Sequence, residues 1–256
     1  NQAAQAVISR ALSITSSDEF DRIDTSGGGN PTGGVAGTGR NSEQEGLVLS
    51  TASTVTSGSS VVFDDSASFY VAGVDLSAGT TGNSTIDNSD DTNGAIGMLM
   101  KGGEGKNTIK GGAGADVLVG GSKNDLLEGG AGNDRFTPGS GKDTVDGGTG
   151  DSDIFFSTNL SFQDSVVGGS GTSDSLTFKD DGSATTDLNG VSGIEVVELE
   201  KATTSIALVD SNVASAATMT IVGTALNTAT NTLTLDGSNE LDGKLIVQGG
   251  AGDDTI

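Results

Sequence analysis

A nine-residue period between positions 102 and 146 constrains this chain more than any other feature. The units run Gly102–Lys110, Gly111–Val119, Gly120–Glu128, Gly129–Thr137 and Pro138–Asp146, and a sixth opens at Gly147-Gly148-Thr149-Gly150. Three residue series share the period. Asn107, Asp116, Asp125, Asp134 and Asp143 form a polar series, and Ile109, Leu118, Leu127, Phe136 and Val145 an apolar one. Glycine doublets form the third, broken at Pro138. A flexible linker has no use for an apolar residue every nine positions, so residues 102–156 read as an ordered repeat.

The spacing dictates the local geometry. Gly-Gly-x-Gly supplies a tight turn, because glycine reaches positive φ without a Cβ penalty. The three residues after each acid make a short strand, whose middle residue points inward. Two nonapeptides close one coil, and successive coils stack as parallel strands. The inward residues then form a thin apolar ladder, each contributing roughly 1.5–3 kcal/mol on burial. Such a core is meagre against the cost of ordering so many glycines. Stacking also places Asp116 above Asp134 on one edge, and Asn107, Asp125 and Asp143 on the other. Converging carboxylates repel when bare. A calcium ion reverses that sign and recruits carbonyls bared by the glycine turns, reaching six to eight oxygens. Lys106, Lys123 and Lys142, placed in the turns, moderate the repulsion without replacing the ion.

Composition narrows the chemistry further. The 256 residues include 42 Gly, only 4% aromatics, and no Cys, His or Trp. A disulfide scaffold, a thiol or imidazole catalyst and a Cys- or His-ligated zinc site are therefore excluded. A net charge of −23, from 35 acids and 12 bases, argues against nucleic acid and acidic lipid as partners. No apolar run is long enough to span a membrane as a helix. What remains is oxygen chemistry, which suits hard cations.

The units resemble the RTX (repeats-in-toxin) calcium-binding nonapeptide, Gly-Gly-x-Gly-x-Asp-x-apolar-x. The resemblance implies a parallel β-roll, several calcium ions, calcium-dependent folding and export by type I secretion. The candidate metal ligands are the side chains of Asn107, Asp116, Asp125, Asp134, Asp143, Asp153, Asp174 and Asp254. The turn residues Gly102, Gly111, Gly120, Gly129, Gly147, Gly168, Glu104, Ala113, Ser122 and Ala131 are the further candidates. Departures from the pattern predict weaker sites: Asn107 for Asp, Lys123 for the third glycine, Pro138 for the first. Both Gly147–Asp153 and Gly168–Asp174 read as turns with one extra residue before the acid. Ser89–Gly94 superficially resembles an EF-hand loop, but Ser89 and Met100 stand where its first and last acids belong. An exposed Asp/Asn turn is the expectation there.

The expected fold is all-β: a β-roll or β-solenoid with further β segments and a short N-terminal helix. Residues 1–23 read as the helical tail of a preceding domain, with the helix over 1–14, and 24–46 as a loop or linker. Residues 47–101 read as a β segment leading into the roll at 102–156. Residues 157–256 read as a β-solenoid or sandwich, with an RTX-like turn near 168–174 and a new repeat starting at 249. Starting at Asn1 and stopping within a repeat, the sequence reads as a piece of a longer protein.

Thr- and Ser-rich β runs alternating with RTX turns are similar to bacterial surface-layer (S-layer) proteins. That likeness implies a structural, non-enzymatic component of an extracellular coat. Its expected partners are copies of itself in a lattice, with cell-surface polysaccharide reached through regions outside this segment. The alternatives are a secretion module of a larger toxin or hydrolase, or the stalk of an adhesin. The sequons Asn83-Ser84-Thr85 and Asn159-Leu160-Ser161 read as plain polar loops.

Overall fold

The computed structural model describes residues 71–77, 82–90, 97–156, 160–161, 163–178, 186–200, 204–223 and 225–256, with strands at 12–14, 22–24, 47–50 and 60–63. Two sheets of eight and eleven strands form a solenoid. Along the chain the strands alternate between them. Asn107–Ala113 joins the first sheet, Val117–Gly121 the second, Leu126–Ala131 the first and Arg135–Gly139 the second. Each coil thus lays one short strand on each sheet, as two nonapeptides per coil require.

Parallel pairing holds the inward residues in two continuous ladders. Val74, Met100, Leu118, Phe136, Ile154, Leu176, Val197 and Ile221 follow one another across the larger sheet. Ile86, Ile109, Leu127, Val145, Val166 and Val191 do so across the smaller. All are at most 2% exposed. The alternation is visible at Val117–Gly121, whose first, third and fifth residues are only partly covered while Leu118 and Gly120 are buried.

The sheet continues well past the nonapeptides. Ser175–Phe178, Val196–Leu199, Thr218–Val222 and Lys244–Gln248 extend the larger sheet, so a solenoid rather than a sandwich occupies this region. The smaller sheet ends at Val191–Ser192, and a separate parallel pair follows, Thr204–Ala207 with Leu233–Asp236. Asn212 joins these layers. Its buried Nδ2 donates to the Leu188 and Val191 carbonyls at 2.6 and 2.8 Å.

Two expectations need adjustment, and two others lie wholly or partly outside the described residues. Leu12–Ile14, placed in a helix, form a strand antiparallel to Ser60–Phe63, and Arg22–Asp24 pair with Leu47–Ser50. The register of Leu12 with Phe63 and Ile14 with Val61 places these three residues in extended backbone; the rest of the expected helix, residues 1–11, lies outside the described residues. The strands of 47–101 belong to the same two sheets as the nonapeptides. Of the linker expected over 24–46, residues 25–46 are outside the described set. At the rejected EF-hand stretch, Ser89 and Asp90 sit in an exposed turn, and 91–96 are not described.

Candidate metal centre

In the nonapeptides that open with Gly111, Gly120 and Gly129, the acid folds back across its own turn toward that glycine. A Cβ added to Gly111 or Gly120 would stand 2.6 Å from the Oδ2 of Asp116 or Asp125. The carbonyl of the next coil presses on the same point: Gly129 over Gly111, Pro138 over Gly120, Gly147 over Gly129. At these three positions a residue without Cβ keeps the cradle of carboxylate and carbonyl oxygens open.

One oxygen of each acid is already committed to the main chain. Asp134 Oδ1 accepts the Asp116 N–H at 2.8 Å, and Asp143 Oδ1 accepts the Asp125 N–H at 2.8 Å. Asp125 Oδ1 accepts the Asn107 N–H at 2.7 Å, and Asp116 Oδ1 the Met98 N–H at 2.6 Å. The two edges expected from the spacing are therefore present, each residue tied to the one eighteen positions on. The second oxygen is different. Oδ2 of Asp125, Asp134, Asp143 and Asp174 is buried with no hydrogen-bond partner. These side chains are at most 3% exposed.

Burial without a partner penalises the charged form. It pushes Asp125 up to about 7, and Asp134 and Asp143 to about 6, against the pull of the backbone donors. Burial also raises Asp174 and Glu195. The ion pairs Lys101–Asp75, Lys110–Glu128 and Arg135–Asp153 do not reach Asp125, Asp134, Asp143 or Asp174. Lys106, Lys123 and Lys142 are exposed. Orphaned carboxylate oxygens beside carbonyls, with no nitrogen or sulfur donor, fit calcium.

Asn107 shows what the cradle demands. Its Nδ2 donates to the carbonyls of Gly105, Gly103 and Gly120 at 2.9, 3.1 and 3.3 Å, and to Asp125 Oδ1 at 3.0 Å. Here the amide supplies the positive pole that the aspartate turns lack. The first turn is thus internally satisfied rather than merely short of one charge.

The remaining candidates divide. The Gly168 carbonyl presses on Gly147 as Gly147 presses on Gly129, and Gly102 lies against Asn107. The Ala131 carbonyl accepts the Gly114 N–H at 2.7 Å, Ala113 and Ala131 are register partners, and Ser122 Oγ lies 3.5 Å from the Glu104 carbonyl. Asp254 repeats the fold-back against Gly249, and its Oδ1 accepts the Leu233 N–H at 2.8 Å.

Asp153 is not in the ladder. It pairs with Arg135 on an outward strand position, and the residue aligned with Asp134 is Ser152. The turn at 147–152 therefore has normal length with serine in the acid's place. The extra residue is real only at 168–174, where Asp174 Oδ1 accepts the Ser152 N–H at 2.7 Å from 22 positions on. Sequence reading also missed Asp164, whose Oδ1 accepts the Asp143 N–H at 2.7 Å, and Glu195. Neither follows a Gly-Gly-x-Gly run, so no motif marks them. A separate acidic group, Asp210, Glu240 and Asp242, brings carboxylate oxygens within 4.8 Å of one another. Asp210 and Asp242 are exposed, and the Leu241 and Gly243 N–H groups already engage Asp210 and Glu240.

Residues 99–127, 119–154 and 246–256 match the family model of the RTX calcium-binding nonapeptide repeat. No curated protein and no solved structure matches the chain. These segments are RTX calcium-binding repeats, and calcium, as several ions, is the cofactor they take. Among the described residues no helix is long and apolar enough to cross a membrane.

Proposed function

We propose that this calcium-binding β-roll is a structural component of a bacterial extracellular surface layer, folded and assembled by calcium at its RTX turns. Asp116, Asp125, Asp134 and Asp143 are the proposed side-chain ligands, with carbonyls of the glycine turns completing the shell. The observation that carries the reading is continuity. The larger sheet runs from the nonapeptides through Ser175–Phe178 and Val196–Leu199 to Lys244–Gln248 before a nonapeptide turn returns at Gly249. A module that only assists export has no need of so long a scaffold beyond its repeats. RTX β-roll repeats are typically structural modules, and a chain without His or Cys has no Ser–His or Cys–His pair. RTX repeats occur in secreted proteins, which agrees with an extracellular location. Copies of the chain are the proposed partners.

The test is chelation of the purified protein, followed by circular dichroism and light scattering. Loss of β signal and of large particles on chelation, and their return with calcium, is expected. Unchanged β signal overturns calcium-dependent folding. Calcium-dependent folding of a protein that stays monomeric overturns the surface-layer role and favours a carrier module of a larger secreted protein.

A further inference from the structure

The bases of this acidic chain are gathered in one stretch. Six of the 12 fall within residues 101–142, whereas residues 157–256 carry 14 acids against three bases. Lys101, Lys110 and Arg135 are paired with Asp75, Glu128 and Asp153 of the same molecule. Those pairs leave out Lys106, Lys123 and Lys142, which are exposed in successive turns along one edge of the roll. Stacking fixes their backbone. The Lys106 N–H donates to Asn83 Oδ1 and the Lys142 N–H to Asn124 Oδ1, each at 3.1 Å. A Cβ on Gly141 would stand 2.5 Å from the Lys123 carbonyl, so Lys123 lies one coil before Gly141. Three ammonium groups thus leave one edge across three coils, with Lys106 and Lys142 separated by two strand spacings, about 10 Å. Glu104 is the one acid within 102–106, 120–124 and 138–142. The far end of the solenoid shows the reverse. Residues 202–256 carry six acids and one base, Lys244. There Asp210, Glu240 and Asp242 bring carboxylate oxygens within 4.8 Å of one another, and Asp210 and Asp242 are exposed.

We infer that the Lys106–Lys123–Lys142 edge of one copy docks on the acidic group Asp210, Glu240 and Asp242 of the next. The inference rests on the surface-layer reading and names the contact that builds the layer. Like charges crowd at both places, and facing one patch with the other relieves both and fixes the register. The two patches lie on different coils of one molecule, so the contact is heterologous. Each copy offers its basic edge to one neighbour and its acidic group to another, which builds an open array rather than a closed pair. Calcium sets the sign of the edge. Asp125 and Asp143 lie buried in the same turns as the lysines, and an ion bound there cancels their charge and leaves the edge positive. Assembly then follows loading of these turns and weakens with salt, as contacts between exposed charges do.

Light scattering of the full chain in saturating calcium tests this, with circular dichroism as the check on folding. One variant carries Lys106→Glu, Lys123→Glu and Lys142→Glu, the other Asp210→Lys and Asp242→Lys. Each alone is expected to need about tenfold more protein than the parent to form large particles. Mixed in equal amounts they should assemble like the parent, because the reversed edge of one fits the reversed group of the other. If the lysine variant assembles at the parent's concentration, the inference is overturned and the surface-layer reading stands. A mixture that stays dispersed overturns it too, since the lysines then face some other surface. If the parent itself stays monomeric, both fall. Should a reversed variant lose its β signal, Lys106→Gln, Lys123→Gln and Lys142→Gln together, and Asp210→Asn with Asp242→Asn, take its place, with weakened assembly expected and parent-like assembly overturning the inference. Lysine variants that assemble normally but no longer bind alginate would assign the edge to an acidic polysaccharide and overturn it as well.

Discussion

Asp134 is asked to do two incompatible things without metal. Its Oδ1 stitches one coil to the previous one through the Asp116 N–H, while its Oδ2 lies buried and unpartnered. Replacing a charged group by an amide of the same shape separates the two roles. Asp134→Asn keeps an oxygen for the Asp116 N–H and removes the charge. In chelator at about pH 4.5, where the buried acids are protonated and the metal-free fold is most stable, its urea midpoint should be no lower than the parent's. In calcium at a hundredfold excess over Kd, it should lack the stabilisation of one site, about 2.7 kcal/mol. Equal destabilisation with and without calcium would falsify the metal role. Asn107 provides the converse experiment. Its amide already bonds three carbonyls and Asp125, so the first turn is closed without an ion. Asn107→Asp removes those donors and restores the repeat's acid. The variant should bind one more calcium than the parent in dialysis. Amide exchange over Gly103–Ile109 should become calcium-dependent, where the parent's changes little.

At the scale of the strand, stability resides in the paired ladders. Phe136 sits between Leu118 and Ile154 in register and is 1% exposed. Phe136→Ala, measured by urea unfolding in saturating calcium, should cost about 3–5 kcal/mol, because coils fixed by their neighbours cannot collapse into the void. The same substitution at outward Phe155, which follows Ile154 on the neighbouring strand and is only half-covered, should cost far less. Strands of this kind were readable where the period was strict: Ile109, Leu118, Leu127, Phe136 and Val145 all point inward as their spacing required. So was the order of the later Thr-rich strands, though not the layer each joins. What a one-dimensional pattern could not supply was alignment between coils of unequal length. Asp164 and Glu195 enter the ladders only because Ser165–Val167 and Val196–Leu199 pair with the strands before them. Asp153 drew the reading one place too far because Ser152, the aligned residue, carries no charge. Leu12–Ile14 show the opposite limit, where pairing with Val61–Phe63, far along the chain, sets the extended conformation.

Across the whole molecule, buried acids and a net charge of −23 make stability a joint function of pH and calcium. Asp125, Asp134 and Asp143 have folded-state values of about 7, 6 and 6, above the ordinary 3.8. The metal-free fold therefore holds more protons than the unfolded chain across roughly pH 4–7. Stability must then fall as pH rises through that window, and it is greatest below the unfolded value. General repulsion among the remaining carboxylates adds in the same direction. Calcium inverts the dependence, because an ion binds the carboxylates only after displacing their protons. Unfolding midpoints in chelator should thus decline between about pH 4.5 and 7.5. Calcium affinity should rise over the same range, with proton release that calorimetry detects in buffers of different ionisation enthalpy. A chelated protein that gains stability toward neutrality would mean that these aspartates are hydrated rather than enclosed. The stacked-cradle account of the roll would fail with that result. The predicted slope has a physiological sense: a chain that cannot hold its coils together at neutral pH without calcium stays unfolded wherever the ion is scarce, and folds where it is abundant.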